Sequence, residues 1–505
     1  VKRFDPSVGS SLMTLGVIVA VGILLSIVTI VPRGGTAVST SPGGGDSAGV
    51  TGDEATAAGG DSGAATGTGP SGGGGASAGV QGSSGTAAAG VVNKAGITCA
   101  AGKNGGNTDV GVTGGSVKLA ATIVADGPGS SFLGAVRTGM TTVLNKVNKT
   151  GGICGRHLDL ILRNDSWEAN RGQQYIKNFV EGDKVFALAV VPSSEGLNAS
   201  DEYIKQQKVP VVGTDGMLKR QYLNPWIWPV ATSTISVMHV MAQDAHDRGA
   251  QAFGLVFDAK YHFGVEGAYA FDQAVKRLTG KDIDGFDSQL KSCKLRFCGI
   301  QPSKPSYATE ASSFSDACYK TAPACDFIAL LLEPDTALSF QRETPASTPR
   351  LGFGGAQPLF TRDFAEGCKA LCDGMSVWTG YNPPIEALAS RPAVAKYVNE
   401  VHAEAPSADV ANQFLEGGYL GFNLLVDALQ KVGPNVTRNN LKTVLDSMSY
   451  DTGLSSPLSW KAGNHFANTS AQAFEIQYKQ SFNGWRQRTG FLKDPWVGQD
   501  LQGGD

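Results

Sequence analysis

No cysteine precedes Cys99, and no phenylalanine, tyrosine or tryptophan lies between Phe4 and Phe132. A stretch of that length without an aromatic ring has little with which to build a packed core. The missing early cysteine also excludes lipid attachment just after the apolar segment at Leu12–Val31. Charge is scarce as well: 17% of the 505 residues are charged, against about 25% in an average globular domain. Its signs nearly cancel, 42 Lys+Arg against 45 Asp+Glu, for a net −3. Nucleic acid or an anionic membrane surface as main partner demands a concentrated basic patch, so both are excluded in that role.

What the first quarter does contain is one long apolar run. No charge occurs from Pro6 to Pro32, and Leu12 to Val31 is almost unbroken hydrophobic sequence. As a helix this segment is about 30 Å long, the thickness of a bilayer's hydrocarbon core. Lys2 and Arg3 precede it, so residues 1–33 read as a cytoplasmic tip and a single membrane anchor, with the rest of the chain extracytoplasmic. The alternative is a secretory signal cleaved near Gly35-Thr36-Ala37, although its apolar core exceeds the usual ~7–15 residues. Beyond it, 20 of the 66 glycines fall between Gly34 and Gly90 among Ala, Ser and Thr. Residues 34–95 are therefore expected to be a solvated linker with a root-mean-square span of roughly 40 Å. Two G-x-S-x-G matches inside it, at Gly45–Gly49 and Gly69–Gly73, follow no strand and open no helix, and are products of composition.

All eight cysteines come after the linker: Cys99, Cys154, Cys293, Cys298, Cys318, Cys325, Cys368 and Cys372. Their even number and close sequence pairs predict four disulfides in an oxidising compartment; sequence leaves 105 connectivities open, with nearest-neighbour pairing taken as the working guess. Cys368 and Cys372 are the demanding pair, because one helical turn would separate them. A zinc site from Cys293, Cys298, Cys318 and Cys325 is the rival reading. It lacks the C-x₂-C spacing, and no histidine lies near; no HExxH occurs anywhere.

From residue 116 onward, apolar runs alternate with amphipathic segments. Val117–Ala125, Val185–Val191, Val209–Val212, Phe253–Phe257, Phe327–Leu332 and Leu351–Gly354 read as buried strands, while Leu158, Leu160 and Leu162 alternate. Val136, Met140, Val143 and Val147 recur at helical spacing, and a further helix is predicted from about Val265 to Leu278. The pattern is α/β, with parallel sheets covered on both faces. About 390 residues exceed one such sheet, so two doubly wound lobes are expected, with ligand bound in the crevice at the strands' carboxyl ends. The turn Gly127-Pro128-Gly129-Ser130-Ser131 lacks the third glycine of a dinucleotide loop and reads as a tight turn with a serine cap. No constellation points to an enzyme or to a cofactor.

The order and spacing of Val147-Asn148-Lys149-Thr150-Gly151-Gly152-Ile153-Cys154-Gly155, Leu158-Asp159-Leu160, Asp165, Pro192-Ser193-Ser194, Val209–Val212, Gly254–Gly264 and Asp326–Asp335 resemble the type I periplasmic-binding-protein family. Within it, the pattern is most similar to the leucine/isoleucine/valine-binding proteins of ABC importers, over about residues 116–495. The resemblance implies two lobes joined by a three-stranded hinge: residues 116–235 with 380–455, and 236–379 with 456–495. It also implies a small polar ligand held between them and delivered to an ABC permease. Ser193 and Ser194, with Thr214, Asp215 and Gly216, occupy the turns that hold a ligand carboxylate in such proteins. Phe132 and Phe263 stand where aromatic rings close over the ligand. No acid falls at Ala356-Gln357, where an ammonium partner is expected, and a buried ammonium without a counter-charge is costly. Either Glu333 or Asp215 substitutes, or the ligand is an amide, a carboxylate or an aromatic compound. A ligand-sensing receptor domain and a non-transport cell-surface protein are the alternative functions.

Overall fold

The computed structural model describes residues 103–286, 293–345 and 348–504, together with a short antiparallel pair, Val91–Val92 and Thr98–Cys99. The expected anchor at Leu12–Val31 and nearly all of the linker lie outside the described residues. Among those described, no helix is long and apolar enough to cross a membrane.

Five parallel strands form the first sheet: β1 (Ser116–Ile123), β2 (His157–Asn164), β3 (Ala187–Ala189), β4 (Val211–Val212) and β5 (Ile227–Trp228), in the order β2-β1-β3-β4-β5. The apolar run of β1 fits its central place, with Leu119, Ala120 and Ala121 wholly buried. At the sheet's edge, β2 buries only Leu158 completely, which accounts for its alternating sequence. Two helices from distant parts of the chain, Val136–Lys149 and Gln413–Val432, pack together on this lobe. They meet at Gly139 and Gly418, where the backbones touch.

The second sheet holds β6 (Phe253–Asp258), β7 (Phe297–Ile300), β8 (Phe327–Leu331), β9 (Phe353–Gly355), β10 (Ser376–Thr379), β11 (Ser470–Tyr478), β12 (Phe482–Gln487) and β13 (Leu492–Lys493). Its order is β12-β11-β10-β9-β8-β6-β7, with β13 on β11. The strands from β6 to β10 are parallel, and β11 to β13 add antiparallel to the edge. The chain therefore forms two α/β units, as the alternating pattern predicts.

Three segments cross between the sheets side by side. Thr232 bridges to Asn468 and donates through Oγ1 to the Ser470 carbonyl at 2.7 Å, and Asn468 Nδ2 donates to the Gly380 carbonyl at 3.1 Å. A Cβ on Gly380 would overlap the Thr232 hydroxyl, so glycine is what lets the strands lie this close. On the first sheet's side of the third crossing, Trp460 Nε1 donates to the Pro229 carbonyl at 3.0 Å, and His465 N donates to the Tyr222 carbonyl at 3.1 Å.

All eight cysteines form disulfides between nearest neighbours: Cys99–Cys154, Cys293–Cys298, Cys318–Cys325 and Cys368–Cys372. No thiol is left for the zinc reading. Cys368 ends the helix Arg362–Cys368, and the chain turns into a 3₁₀ segment, bringing the Cα of Cys372 to 5.7 Å. The Cys318–Cys325 pair is buried against Gly254 of β6. Replacing both its cysteines by alanine is expected to lower stability by about 2 kcal/mol, the loop-closure value for a short loop. Urea denaturation of the variant beside the parent checks this.

Past residue 495, where the expected second lobe ends, the chain continues as a strap. Buried His239 is bonded through Nδ1 to Asp494 at 2.9 Å and through Nε2 to Asp500 at 2.8 Å. Arg277 grips both Asp500 oxygens at 2.6 Å, and Lys219 Nζ, from the first lobe, donates to the carbonyls of Leu501 and Gly503.

Candidate functional site

In parallel sheets the residues just after each strand collect at one end, and here they carry the candidate ligand groups of both lobes. Asp165 to Trp167 follow β2, Val190 to Ser194 follow β3, and Gly213 to Gly216 follow β4. From the second lobe come Tyr261 and Phe263 after β6, Glu333 after β8 and Gln357 after β9.

The cleft between them is closed, and a residue absent from the expected set fills its centre. Trp167 turns in from the end of β2 with φ +63°, its amide donating to Asp165 Oδ1 at 3.0 Å. Its indole stacks on Tyr261 of the other lobe (centroids 4.0 Å apart) and lies 5.7 Å from Phe263. Phe132 meets it edge-on at 5.4 Å, and Phe414 flanks Phe132 at 5.1 Å. The two rings expected to enclose a ligand thus enclose a tryptophan of the protein itself.

Trp167 Nε1 donates to Ser194 Oγ at 3.0 Å. Ser193 is fully buried and faces Asp165, whose pKa is raised by burial, partly offset by the hydroxyls of Ser193 and Thr122. Thr214 Oγ1 donates to the Val191 carbonyl at 2.7 Å, and the Gly216 carbonyl accepts from Tyr222. Both Glu333 oxygens are engaged within its own lobe. It caps the helix Pro334–Glu343: Oε2 accepts from Asp335 N and Oε1 from Thr336 N, both at 2.9 Å, and Oε1 also accepts the Thr336 hydroxyl. A carboxylate at a helix N-terminus is held by the free amides there, and these fix both oxygens.

Asp215 and Gln357 do come together. They line one cavity of about 20 Å³ at the hinge, with Thr232, Tyr381, Gln413 and Phe414. Asp215 Oδ1 accepts from Thr214 at 3.3 Å, while Oδ2 has no hydrogen-bond partner. Burial pushes its pKa up to about 8. Gln357 Nε2 donates to the Thr232 carbonyl at 3.0 Å, Gln413 donates to the Gln357 carbonyl, and Gln357 Oε1 is unpartnered. A larger recess of about 320 Å³ on the first lobe, bordered by Lys396, Asp427 and Tyr450, shares no residue with this site.

A second set of contacts latches the lobes at the rim. Glu195 accepts from His262 N at 3.0 Å and pairs with its Nδ1 at 2.6 Å, and Glu266 Oε2 accepts from Lys219 N at 2.9 Å. The Glu195 hydrogen bond raises the His262 pKa against the opposing effect of burial. The variant Glu195→Gln is expected to return the His262 titration toward the ordinary histidine value of about 6.5, read from its ring-proton NMR shifts.

Trp167, Tyr261, Tyr381, Gln413 and Phe414 are the lining residues that motif reasoning missed. The signal for Trp167 was its place two residues after Asp165, just past the end of a strand. Tyr381 and Gln413 are brought in by the hinge and by a helix some 200 residues later in the chain, which no local pattern indicates.

No curated protein sequence matches the chain. Solved structures share the fold at low identity. A leucine-binding protein from Thermotoga maritima aligns with TM-score 0.59 and 15% identity, over 74% of this chain and 99% of that one. A fatty acid ABC transporter substrate-binding protein from Thermomonospora curvata gives 0.60 and 18%, over 78% and 95%. An ABC transporter solute-binding protein from R. palustris in complex with benzoate gives 0.60 and 14%, over 76% and 99%. The sequence profile of the periplasmic binding proteins matches residues 116–294 and 300–481, the span that builds the first sheet, the second sheet through β11 and all three crossings, and the chain belongs to that family.

Proposed function

We propose that this protein is an extracytoplasmic solute-binding protein that captures a small polar molecule between its lobes and delivers it to an ABC importer. The observation that carries this reading is the closed cleft over a three-strand hinge. Two sheets present their ligand-binding ends to each other, and the contacts across the gap, Trp167 on Tyr261 and Glu195 on His262, exist only when the lobes are shut. A ligand that adds contacts to this closed form shifts the population toward it, and that shape is what a permease would recognise. The three relatives named above, each a binding protein, support the class. In this reading Leu12–Val31 anchors the protein and residues 34–95 are the tether. Ser193, Ser194, Thr214, Asp215, Gly216, Phe132, Phe263 and Gln357 form the site together with Trp167; Glu333 is left out.

Small-angle scattering and tryptophan fluorescence of the full chain in detergent, against a panel of solutes, test the reading. A binding solute is expected to reduce the radius of gyration, change the Trp167 emission and raise the melting temperature. A folded protein that responds to no class of small molecule would overturn it.

A further inference from the structure

We infer that the solute is a small organic cation, a protonated amine without a carboxylate, whose ammonium group sits against Asp215 Oδ2 and Gln357 Oε1. This rests on reading the cleft as the solute site, and it names the class of molecule the site accepts. The hydrogen-bond inventory carries it. Two acceptors on residues that line the cavity, each residue more than nine-tenths buried, have no partner. Gln357 and Gln413 each donate one amide N–H to a backbone carbonyl, and the Thr214 hydroxyl donates to the Val191 carbonyl. No lysine, arginine or histidine lines the cavity. A buried site with unpartnered acceptors and no cationic side chain suits a ligand that brings donors, and an ammonium brings three together with a charge that stabilises ionised Asp215.

The surroundings agree. Tyr381 and Phe414 place aromatic rings at the cavity, and such rings attract cations. The cavity's size, about that of one water molecule, fits a head group, with the remainder of the ligand directed along Phe414 toward Phe132. At the serine turn, where the resemblance puts a ligand carboxylate, Ser194 already accepts the Trp167 indole, and Ser193 lies against the Asp165 carboxyl. The basic groups nearest the rim are engaged as well: His262 with Glu195, Lys219 with the C-terminal strap, and Lys260 with the Tyr261 hydroxyl at 3.1 Å.

The raised pKa of Asp215 adds a signature. The groups facing it are Thr214, the backbone amides of Asp215 and Gly216, Tyr222, Tyr381 and Gln357, with Glu266 beyond Tyr222 and Glu416 beyond Tyr381, and none is a cation. Below pH 8 a bound ammonium must therefore displace a proton from Asp215. Isothermal titration of the full chain at pH 7 with butylamine, putrescine and agmatine, beside leucine, leucinamide, butyrate and benzoate, tests the inference. The expected result is binding of amines, leucinamide above leucine, no binding of butyrate or benzoate, and release of up to one proton per amine, read from the dependence of heat on buffer ionisation. Asp215→Asn is expected to weaken amine binding at least thirtyfold, and Gln357→Met about tenfold, each with a cooperative melt retained. Binding of leucine or a carboxylate with no response to amines would overturn the cationic class and leave the solute-binding reading intact. Amine binding that survives Asp215→Asn in a folded protein would overturn the assigned seat. Silence from every compound would overturn both readings.

Discussion

Adding one methyl group at Gly418 is expected to destabilise the first lobe by about 3 kcal/mol or more, and a valine there to prevent its assembly. The helix Gln413–Val432 lies against Val136–Lys149 backbone to backbone. A Cβ built on Gly418 would overlap the Val136 carbonyl oxygen, and one on Gly139 would overlap that of Leu415. A flexible side chain can move aside from such a clash, but a carbonyl inside a helix cannot move without separating the helices. Separation would strip contacts from Val136, Met140, Leu415 and Leu420, all buried at 2% exposure or less. Overpacking of an ordinary core costs about 1–3 kcal/mol; with backbone on both sides of the contact, the upper end is the starting point. The second helix reaches this lobe only after the chain has passed through the other, so the loss extends to the hinge. Gly417 packs on Tyr381, and both line the Asp215 cavity. Urea denaturation of Gly418→Ala checks the effect; a midpoint unchanged from the parent would contradict the geometry.

That helix pair shows where the sequence could be read and where it could not. Buried parallel strands are continuous apolar runs, so Val117–Ala125 and Phe327–Leu332 announced themselves, and alternation of strand with helix indicated two lobes. Val136, Met140, Val143 and Val147 marked one helix face by period alone. What occupies that face is set by topology: residues 413–432 are strongly apolar, but nothing local says that they return to the first sheet. The disulfides followed from sequence proximity because each closes a local turn or loop, apart from Cys99–Cys154. In the site, Asp215 and Gln357 were legible as the polar groups after β4 and β9. Glu333 was misassigned because a carboxylate one residue before a proline-started helix serves equally well as a cap, and the helix's free amides took it. Trp167 was missed because a tryptophan at positive φ is rare, and its inward turn depends on the Asp165 bond to its amide. His239, midway along a helix, gave no hint of the strap, since both its partners lie about 250 residues away.

The acids that distinguish this cleft also predict how stability changes with pH. With the lobes closed, burial raises Asp215 to about 8, and Asp258 and Glu266 to about 7. Backbone amides of Lys260 and Tyr261 stabilise ionised Asp258, and that of Lys219 stabilises ionised Glu266, without outweighing burial. The unfolded chain loses these protons near pH 4, so between about pH 4 and 8 the folded state holds more protons than the unfolded. Stability is then fullest below pH 4 as far as these groups are concerned, and is lost as pH rises through 7 and 8. His239 acts in the same direction: burial lowers its pKa, but Asp494 and Asp500 outweigh that and raise it, so its contribution also falls with rising pH. Groups held low by partners, Asp500 and Asp326 among them, titrate below this window and do not oppose the trend within it. Each raised acid is worth at most about 1.4 kcal/mol per pH unit, and with relaxation around them the three together are expected to cost about 3 kcal/mol between pH 5.5 and pH 8. Urea midpoints at the two pH values measure the loss, and Asp215→Asn is expected to reduce it, because the amide keeps the shape and removes one titration. An amine that neutralises Asp215 is expected to do the same by a different route, stabilising the protein more at pH 8 than at pH 5.5. A neutral ligand would stabilise it equally at both, so the pH slope with and without ligand reports the charge of what the cleft holds.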